Sequence, residues 1–180
     1  MPACYERSTG VGSFVAVPPV RHRIDDGEAS LSESMARRGI TVRHRVLAIT
    51  RVEPDRSARF PDCDGGAVEF RFIRYLEDEP WSVGTVALPA SLAPLDWDGS
   101  TSVFAAMSAR HELSIRRSER AFRAGPATPD DAAWLGIAVG SALLELELRG
   151  HNADQHGRVI ATVAHRIRGD RAEYVVGLPQ

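Results

Sequence analysis

Apolar and polar residues alternate along much of this chain, and the alternation predicts β-strands. The clearest run is Val68–Leu76, followed by a turn at Glu77–Pro80 and a second apolar run at Trp81–Leu88. Two such runs around a short turn indicate a β-hairpin. Because side chains on a strand repeat every second residue, one face of the first strand carries four apolar residues and one arginine. These residues are Val68, Phe70, Phe72, Arg74 and Leu76.

Further segments with strand patterns complete the predicted sheet. They are Thr41–Arg51, Leu113–Arg123, Ser141–Arg149 and Arg158–Arg168, with Tyr174–Leu178 as a candidate for a last strand. The polar stretch Pro54–Gly66 is expected to be a loop. Five to six mostly antiparallel strands with about three helices make an α+β domain, and we expect the helices to cover the sheet on one side.

Three helices are predicted from their capping residues. Thr128–Asp131 provides an N-cap, a first-turn proline and two acids at the positive end of the helix dipole, and Gly136 ends this helix. The other two are predicted at Asp25–Ala36, ended by a left-handed Gly39, and from Ser100 or Thr101 through Val103, Phe104 and Met107.

Composition and charge narrow the classes of function. With 180 residues, 43% of them hydrophobic, the chain is large enough for one domain with its own core. The net charge of -2 argues against a domain-wide basic surface for nucleic acid. Cys4 and Cys63 are isolated, so no metal site and no cofactor is predicted. No apolar run approaches the roughly 20 residues that span a bilayer, and a cytoplasmic protein without membrane contact is expected.

The N-terminal residues carry a more specific pattern. Tyr5–Pro19 reads Y-E-R-S-T-G-V-G-S-F-V-A-V-P-P. This resembles the closing strand and exit linker of the winged helix in GntR-type bacterial regulators, whose wing ends in G-x-G-[ST]-F-V-A. The matching residues are Gly10, Gly12, Ser13, Phe14, Val15 and Ala16. The alternative is an ordinary glycine-rich arm. The resemblance implies that residues 1–19 are a remnant of the wing and linker, and that residues 20–180 form an effector-binding domain.

Three later segments resemble the same family. Arg74–Pro89 (RYLEDEPWSVGTVALP) is similar to the R-x-x-x-x-E-P hairpin of effector domains in the HutC-like branch of GntR regulators. Ala127–Ile160 resembles the segment of these effector domains that contains the A-x-x-L-G-[IV] helix and the strand after it. Arg168–Arg171 (RGDR) matches the short phrase that closes the domain. The chain is thus identified as a UTRA (UbiC transcription-regulator-associated) domain. The resemblance implies a chorismate-lyase-like fold, a homodimer and the sensing of a small metabolite.

Arg74 is the first candidate for a functional residue, because a guanidinium on an apolar strand face needs a partner. His165 is a second candidate for the same reason, because it lies on the apolar face of the predicted strand Arg158–Arg168. The partner is either an acid in a structural ion pair or an anionic or polar ligand, which the forked donors of arginine suit. The resemblance implies the ligand, since Arg74 matches an effector-binding arginine of the family. Ser118 falls near a ligand-contacting hydroxyl, and a solvated strand serine is the alternative.

The chain departs from the family pattern at several positions. Phe72 stands where many members carry a second arginine, Gly84 replaces a glutamate after the E-P turn, and Ala161 replaces a glutamate of the penultimate strand. These departures predict a pocket less polar than that of an amino-sugar sensor. The predicted effector-binding residues are Arg74, Ser118, His165, Phe72, Gly84 and Ala161.

The predicted function is small-molecule sensing in a GntR/HutC-type transcription regulator. The ligand is expected to be a small polar or anionic metabolite, and DNA is expected to be contacted only through a missing or separate winged-helix domain. A stand-alone enzyme or metabolite-binding protein of chorismate-lyase fold is the alternative, and an unrelated interaction module is a third. Ala161 occupies the position of the lyase's carboxylate, so no catalytic residue is predicted and catalysis is less favoured.

Overall fold

The computed structural model of the chain describes residues 5–8, 12–15, 19–23, 35, 37–53, 66–113, 115–152 and 159–175. Within these ranges the chain forms ten strands, two α-helices described over their full length and one short 3-10 helix, and Met35 and Arg37 are also helical. The strands are β1 (Tyr5–Ser8), β2 (Gly12–Val15), β3 (Val20–Arg23), β4 (Val42–Val52), β5 (Ala67–Leu76), β6 (Glu79–Pro89), β7 (Ile115–Pro126), β8 (Ala142–Asn152), β9 (Val159–Arg168) and β10 (Ala172–Val175). The helices are the 3-10 helix Ala90–Leu92, α1 (Val103–His111) and α2 (Pro129–Leu135).

Six of these strands form one antiparallel sheet in the order β4-β5-β6-β9-β8-β7. Two hairpins, β5-β6 and β8-β9, meet at the centre, where β6 pairs with β9. The turn of the first hairpin is tight, and Glu77 adopts a left-handed conformation there with a φ of 53°. This architecture confirms the predicted α+β class with an antiparallel sheet.

The sheet is covered on both faces, so the predicted one-sided cover is wrong. On one face Phe70 and Phe72 pack in a cluster with Val103 and Met107 of α1. On the other face Ile73 and Val83 pack with Leu135 of α2. Side chains of a strand alternate between faces, so an apolar residue at both Phe72 and Ile73 requires apolar cover on each side.

The helix caps agree with the predictions within two residues. Thr128 forms a capping box with Asp131, and Gly136 ends α2 in a left-handed conformation with a φ of 65°. The cap of α1 is Ser102, whose hydroxyl accepts from the amide of Ala105, rather than Ser100 or Thr101. Arg166 of β9 ties α2 to the sheet, because its Nε lies 3.0 Å from Asp131 Oδ2.

Of the predicted helix at Asp25–Ala36, only Met35 is among the described residues, and it is helical. Gly39 has the predicted left-handed conformation, with a φ of 72°. The predicted loop Pro54–Gly66 lies outside the described residues except for Gly66.

Two small sheets accompany the main one. β1 and β2 form an antiparallel hairpin. β3 pairs with β10 in parallel, with Val20 opposite Ala172, so the predicted last strand exists but begins two residues earlier than expected. None of the helices in the described ranges is long and apolar enough to cross a membrane.

Candidate functional site

A cavity lies between the main sheet and α1, over the centre of the sheet. The register places two rows of residues beneath it. In one row His44 is opposite Arg74, and in the next Phe72, Gly84 and His165 lie side by side on β5, β6 and β9. The polar residues that line the cavity are His44, Arg74, Ser102, Arg120, His165 and Tyr174.

Arg74 is the most deeply buried charged residue of the cavity wall, with 7% of its surface exposed. Its Nε donates to Nε2 of His44 at 3.4 Å, and its guanidinium lies 5.7 Å from the ring centre of Phe72. Among the described residues no carboxylate lies within 4 Å of it. Burial lowers the pKa of Arg74 to about 10, and the nearby Tyr174 offsets part of that shift. Arg74 therefore stays charged at neutral pH without an acid beside it.

His44 connects Arg74 to the loop that precedes α1. Its Nδ1 lies 3.2 Å from the carbonyl oxygen of Gly99, and its ring packs edge-on against Phe72 at 5.2 Å. The ring also lies 5.8 Å from that of Trp97. Burial and the charge of Arg74 lower the pKa of His44 to about 4, so the ring is neutral at pH 7.

β7 and β10 contribute further polar residues to the wall of the cavity. Arg120 of β7 and Tyr174 of β10 both line the cavity. Burial lowers the pKa of Arg120, and Tyr174 counters the shift. The rings of Tyr174 and Phe122 lie 5.1 Å apart, which fixes the short strand β10 against the main sheet.

The rest of the lining is apolar and the enclosed space is small. Phe104 of α1 covers the cavity, and Val86, Leu148 and Val163 lie on the floor. The cavity encloses about 40 Å³. One water needs about 10–15 Å³ of such space, so this conformation accommodates a compact chemical group of a few atoms.

The ionisable side chains in the described lining of the cavity are predominantly basic. Its described lining contains two arginines and two histidines but no aspartate or glutamate. Low-dielectric walls strengthen the field of the arginines. Such a cavity favours an anionic group over a cationic one.

The structure brings together three of the six predicted site residues. Arg74, Phe72 and His165 line the cavity. Gly84 lies beneath them, and a Cβ at this position would be 2.4 Å from Cε1 of His165 and 3.0 Å from the ring of Phe72. The absence of a side chain at Gly84 thus makes room for both rings.

The other two predicted residues are not in the part of the lining that the structure describes. Ala161 is fully buried in the apolar cluster under α1 and is not part of the cavity lining. Ser118 belongs to β7, between the paired residues Arg117 and Glu119 where the register shifts, and its side chain lies outside the described residues. Ligand contact by any of the six residues stays a prediction.

Sequence analysis missed four polar residues of the site. These are His44, Ser102, Arg120 and Tyr174. Ser82 lies next to Arg74 but is not part of the described lining. Ser82 pairs with Arg74 across β5 and β6, and its buried hydroxyl has no hydrogen-bond partner in the part of the chain that the structure describes. The alternation in β4 could have indicated His44, which lies on the same face as Val42 and Val46. No group of three metal-ligating side chains is found among the described residues.

Solved structures with the same fold include PhnF from Mycobacterium smegmatis and its effector domain. PhnF from Mycobacterium smegmatis matches with a TM-score of 0.78 and 18% identity, covering 97% of this chain and 78% of that one. The effector domain of the same protein matches with a TM-score of 0.77 and 16% identity, covering 89% of this chain and 100% of that one. At these identities the likeness establishes the fold alone.

The chain belongs to the UTRA domain family, whose model matches residues 37–173. A curated relative is the HTH-type transcriptional regulator Rv0792c of Mycobacterium tuberculosis, which is 29% identical over 184 residues. The match covers 97% of this chain, and the chain spans 66% of the length of that relative. These findings confirm the predicted family, the effector domain of GntR-type regulators, and favour it over the enzyme alternative.

Proposed function

We propose that this domain senses a small anionic metabolite, which binds in the cavity beside Arg74. The observation that supports this most directly is a buried arginine with no carboxylate partner among the described residues. Burying an unpaired charge is costly, and native proteins pair such charges. An anionic ligand would supply the missing partner and gain charge-assisted hydrogen bonds from the guanidinium.

The other side chains of the cavity fit the same ligand. Arg120 and His165 also line the cavity and add basic side chains, while Phe72 and Phe104 give it apolar walls. Binding sites for small molecules commonly combine apolar walls with a few polar groups that fix the ligand's orientation. The small enclosed space favours a phosphate, phosphonate or carboxylate group as the anchored part.

The replacement Arg74→Met tests this proposal. It keeps most of the side-chain length and removes the hydrogen-bond donors. The binding free energy should therefore weaken by about 1.5–3 kcal/mol, which is roughly a ten- to hundredfold loss of affinity. Thermal unfolding with and without a library of small anions measures the effect. Arg71→Met is the matched control, because Arg71 is on the same strand but faces Trp134 on the opposite side of the sheet.

The interpretation of Arg74 as a structural residue predicts different results. Ligand-induced stabilisation would then be absent in the original protein, and Arg74→Met would lower the melting temperature strongly. That combination would exclude the ligand site.

The regulator that this domain serves is proposed to bind DNA through a winged helix. The β1-β2 hairpin is consistent with residues 1–19 being the end of a wing and its linker, followed by an effector domain over residues 20–180. In that arrangement an effector changes DNA affinity by a coupling between two sites. β3 follows the linker and pairs with β10, which carries the cavity residue Tyr174.

We also propose that the protein is a homodimer and is located in the cytoplasm. Regulators with two-fold operators need two-fold symmetry, and domains of this type are expected to pair. Light scattering at micromolar concentration should give twice the chain mass of 19.6 kDa. A single species at the chain mass would contradict the dimer.

A further inference from the structure

The acceptor that holds Arg74 is a histidine rather than an acid. Nε of Arg74 donates to Nε2 of His44, and this is the hydrogen bond that the guanidinium makes with the described part of the chain. Its two Nη groups donate to none of those residues. They are the donors that remain for a ligand in the cavity.

The contacts of His44 define its tautomer. The Gly99 carbonyl oxygen near Nδ1 can only accept, so Nδ1 carries the hydrogen. Nε2 is then the unprotonated nitrogen, which is what accepting from Arg74 requires. Both contacts are satisfied by one neutral tautomer, and the lowered pKa of about 4 agrees with it.

The ring of His44 is also fixed in orientation. Phe72 and Trp97 pack against it, with ring centres 5.2 and 5.8 Å away. Gly99 lies so close to β4 that a Cβ there would be 2.6 Å from the backbone oxygen of His44, and its φ is +89°. The loop before α1 therefore packs directly against His44, the residue that contacts Arg74.

Another arginine of the same protein shows the opposite arrangement. Arg166 lies on β9, on the other face of the sheet, and is paired with the carboxylates of Asp131 and Glu145. It also donates to the carbonyl oxygen of Pro126 at 2.8 Å. A carboxylate neutralises the arginine that it holds, whereas a neutral imidazole orients a guanidinium and leaves its charge uncompensated.

We propose that His44 is a positioning residue that gives the cavity its selectivity for anions, because it holds Arg74 by its Nε without neutralising it. This inference rests on the proposed anion site and adds the residue that keeps that site positively charged. The His44 ring itself need not touch the ligand. Arg74 lines the cavity and uses Nε for its contact with His44, so an acid at position 44 would compete with the ligand for the same charge.

Replacements at position 44 separate this role from a purely structural one. The probe is inorganic phosphate, titrated calorimetrically into the full chain at pH 7, with thermal unfolding recorded in parallel. His44→Gln retains a neutral acceptor, and its phosphate affinity should stay within about threefold of the original. His44→Glu supplies an ionised acceptor, and affinity should fall by about tenfold or more while the melting temperature does not fall.

Arg45→Gln is the control for net charge, because it and His44→Glu each lower the net charge by one. Arg45 is the next residue of β4 and is exposed on the opposite face, so the loss of its charge should leave phosphate affinity within about twofold. Nitrogen NMR of the histidine rings in the original protein adds a measurement that does not depend on any replacement. The His44 ring should be neutral at pH 7 with its hydrogen on Nδ1.

The outcomes distinguish this inference from the proposed function. If Arg74→Met abolishes phosphate binding and His44→Glu binds like the original, the anion site stands and the role of His44 is wrong. A charged ring at pH 7, or the hydrogen on Nε2, would also overturn it. If phosphate does not bind the original chain, or binds Arg74→Met equally well, both the site and the role of His44 are refuted.

Discussion

Individual side chains give the cavity its electrostatic character. A single buried guanidinium would be costly in most apolar surroundings, yet here Arg74 is contacted by a neutral imidazole and an aromatic ring instead of an acid. The same contact is costly for protonated His44, because two cations would then face each other in a buried space. The two residues therefore form a unit whose charge is +1 at neutral pH.

The pH dependence of stability should reveal this unit. The pKa of His44 is about 4 in the folded chain and near 6.5 in an exposed histidine, so between these values the unfolded chain binds a proton that the folded chain does not. Folding stability must then decrease as pH falls from about 6.5 to about 4, and the contribution is fully present above 6.5.

Urea unfolding of the original chain and of His44→Gln at pH 7 and pH 5 measures this contribution. The original should lose more stability between the two pH values, since glutamine does not titrate and the other titratable groups are common to both proteins. Equal losses would show that His44 titrates normally and that its contact with Arg74 is weak.

Secondary-structure elements were predictable where their signals are local. The alternation in Val68–Leu76, the turn after it and the capping box at Thr128 each depend on a few adjacent residues, and each was confirmed within two residues. The face that α2 covers was not predictable, because it depends on Arg166 and Asp131, which are 35 positions apart. The parallel pairing of β3 with β10 is equally non-local.

The same distinction applies to the site. Arg74 could be recognised from its own strand, since a charge interrupts an apolar face there. His44, Arg120 and Tyr174 come from three other strands, β4, β7 and β10, and only the folded sheet places them around one cavity. A sequence pattern identifies an unusual residue, but it does not give the residues that face it.

The helix on the far side of the sheet should affect stability and not binding. Thr128→Ala removes the hydroxyl that accepts from the Asp131 amide, and loss of an N-cap costs about 1 kcal/mol, within a range of 0.5–2. Phosphate affinity should be unchanged, because α2 packs against Ile73 and Val83 on the face away from the cavity. Denaturant unfolding and calorimetry test the two parts, and a parallel loss of affinity would mean that the two faces are coupled.

The domain as a whole connects the cavity to its N-terminal residues through one short strand. Tyr174 lines the cavity and packs on Phe122, while the backbone of β10 pairs with β3. The amide of Val20 donates to the carbonyl oxygen of Arg171 at 2.9 Å, and Arg21 lies 3.5 Å from Glu173. A ligand that orders Tyr174 must therefore also steady the strand that leads to the β1-β2 hairpin.

Hydrogen exchange should detect this connection. Phosphate bound beside Arg74 should slow exchange of the backbone amides in Val20–Arg23 together with those in Ala172–Val175, because a paired strand opens less often when its neighbour is held. Tyr174→Phe keeps the ring and should preserve the effect. Tyr174→Ala should remove the protection of β3 even at phosphate concentrations that saturate the cavity, since the ring is the contact between the ligand site and β10. If β3 is protected equally in Tyr174→Ala, the connection runs through another part of the domain.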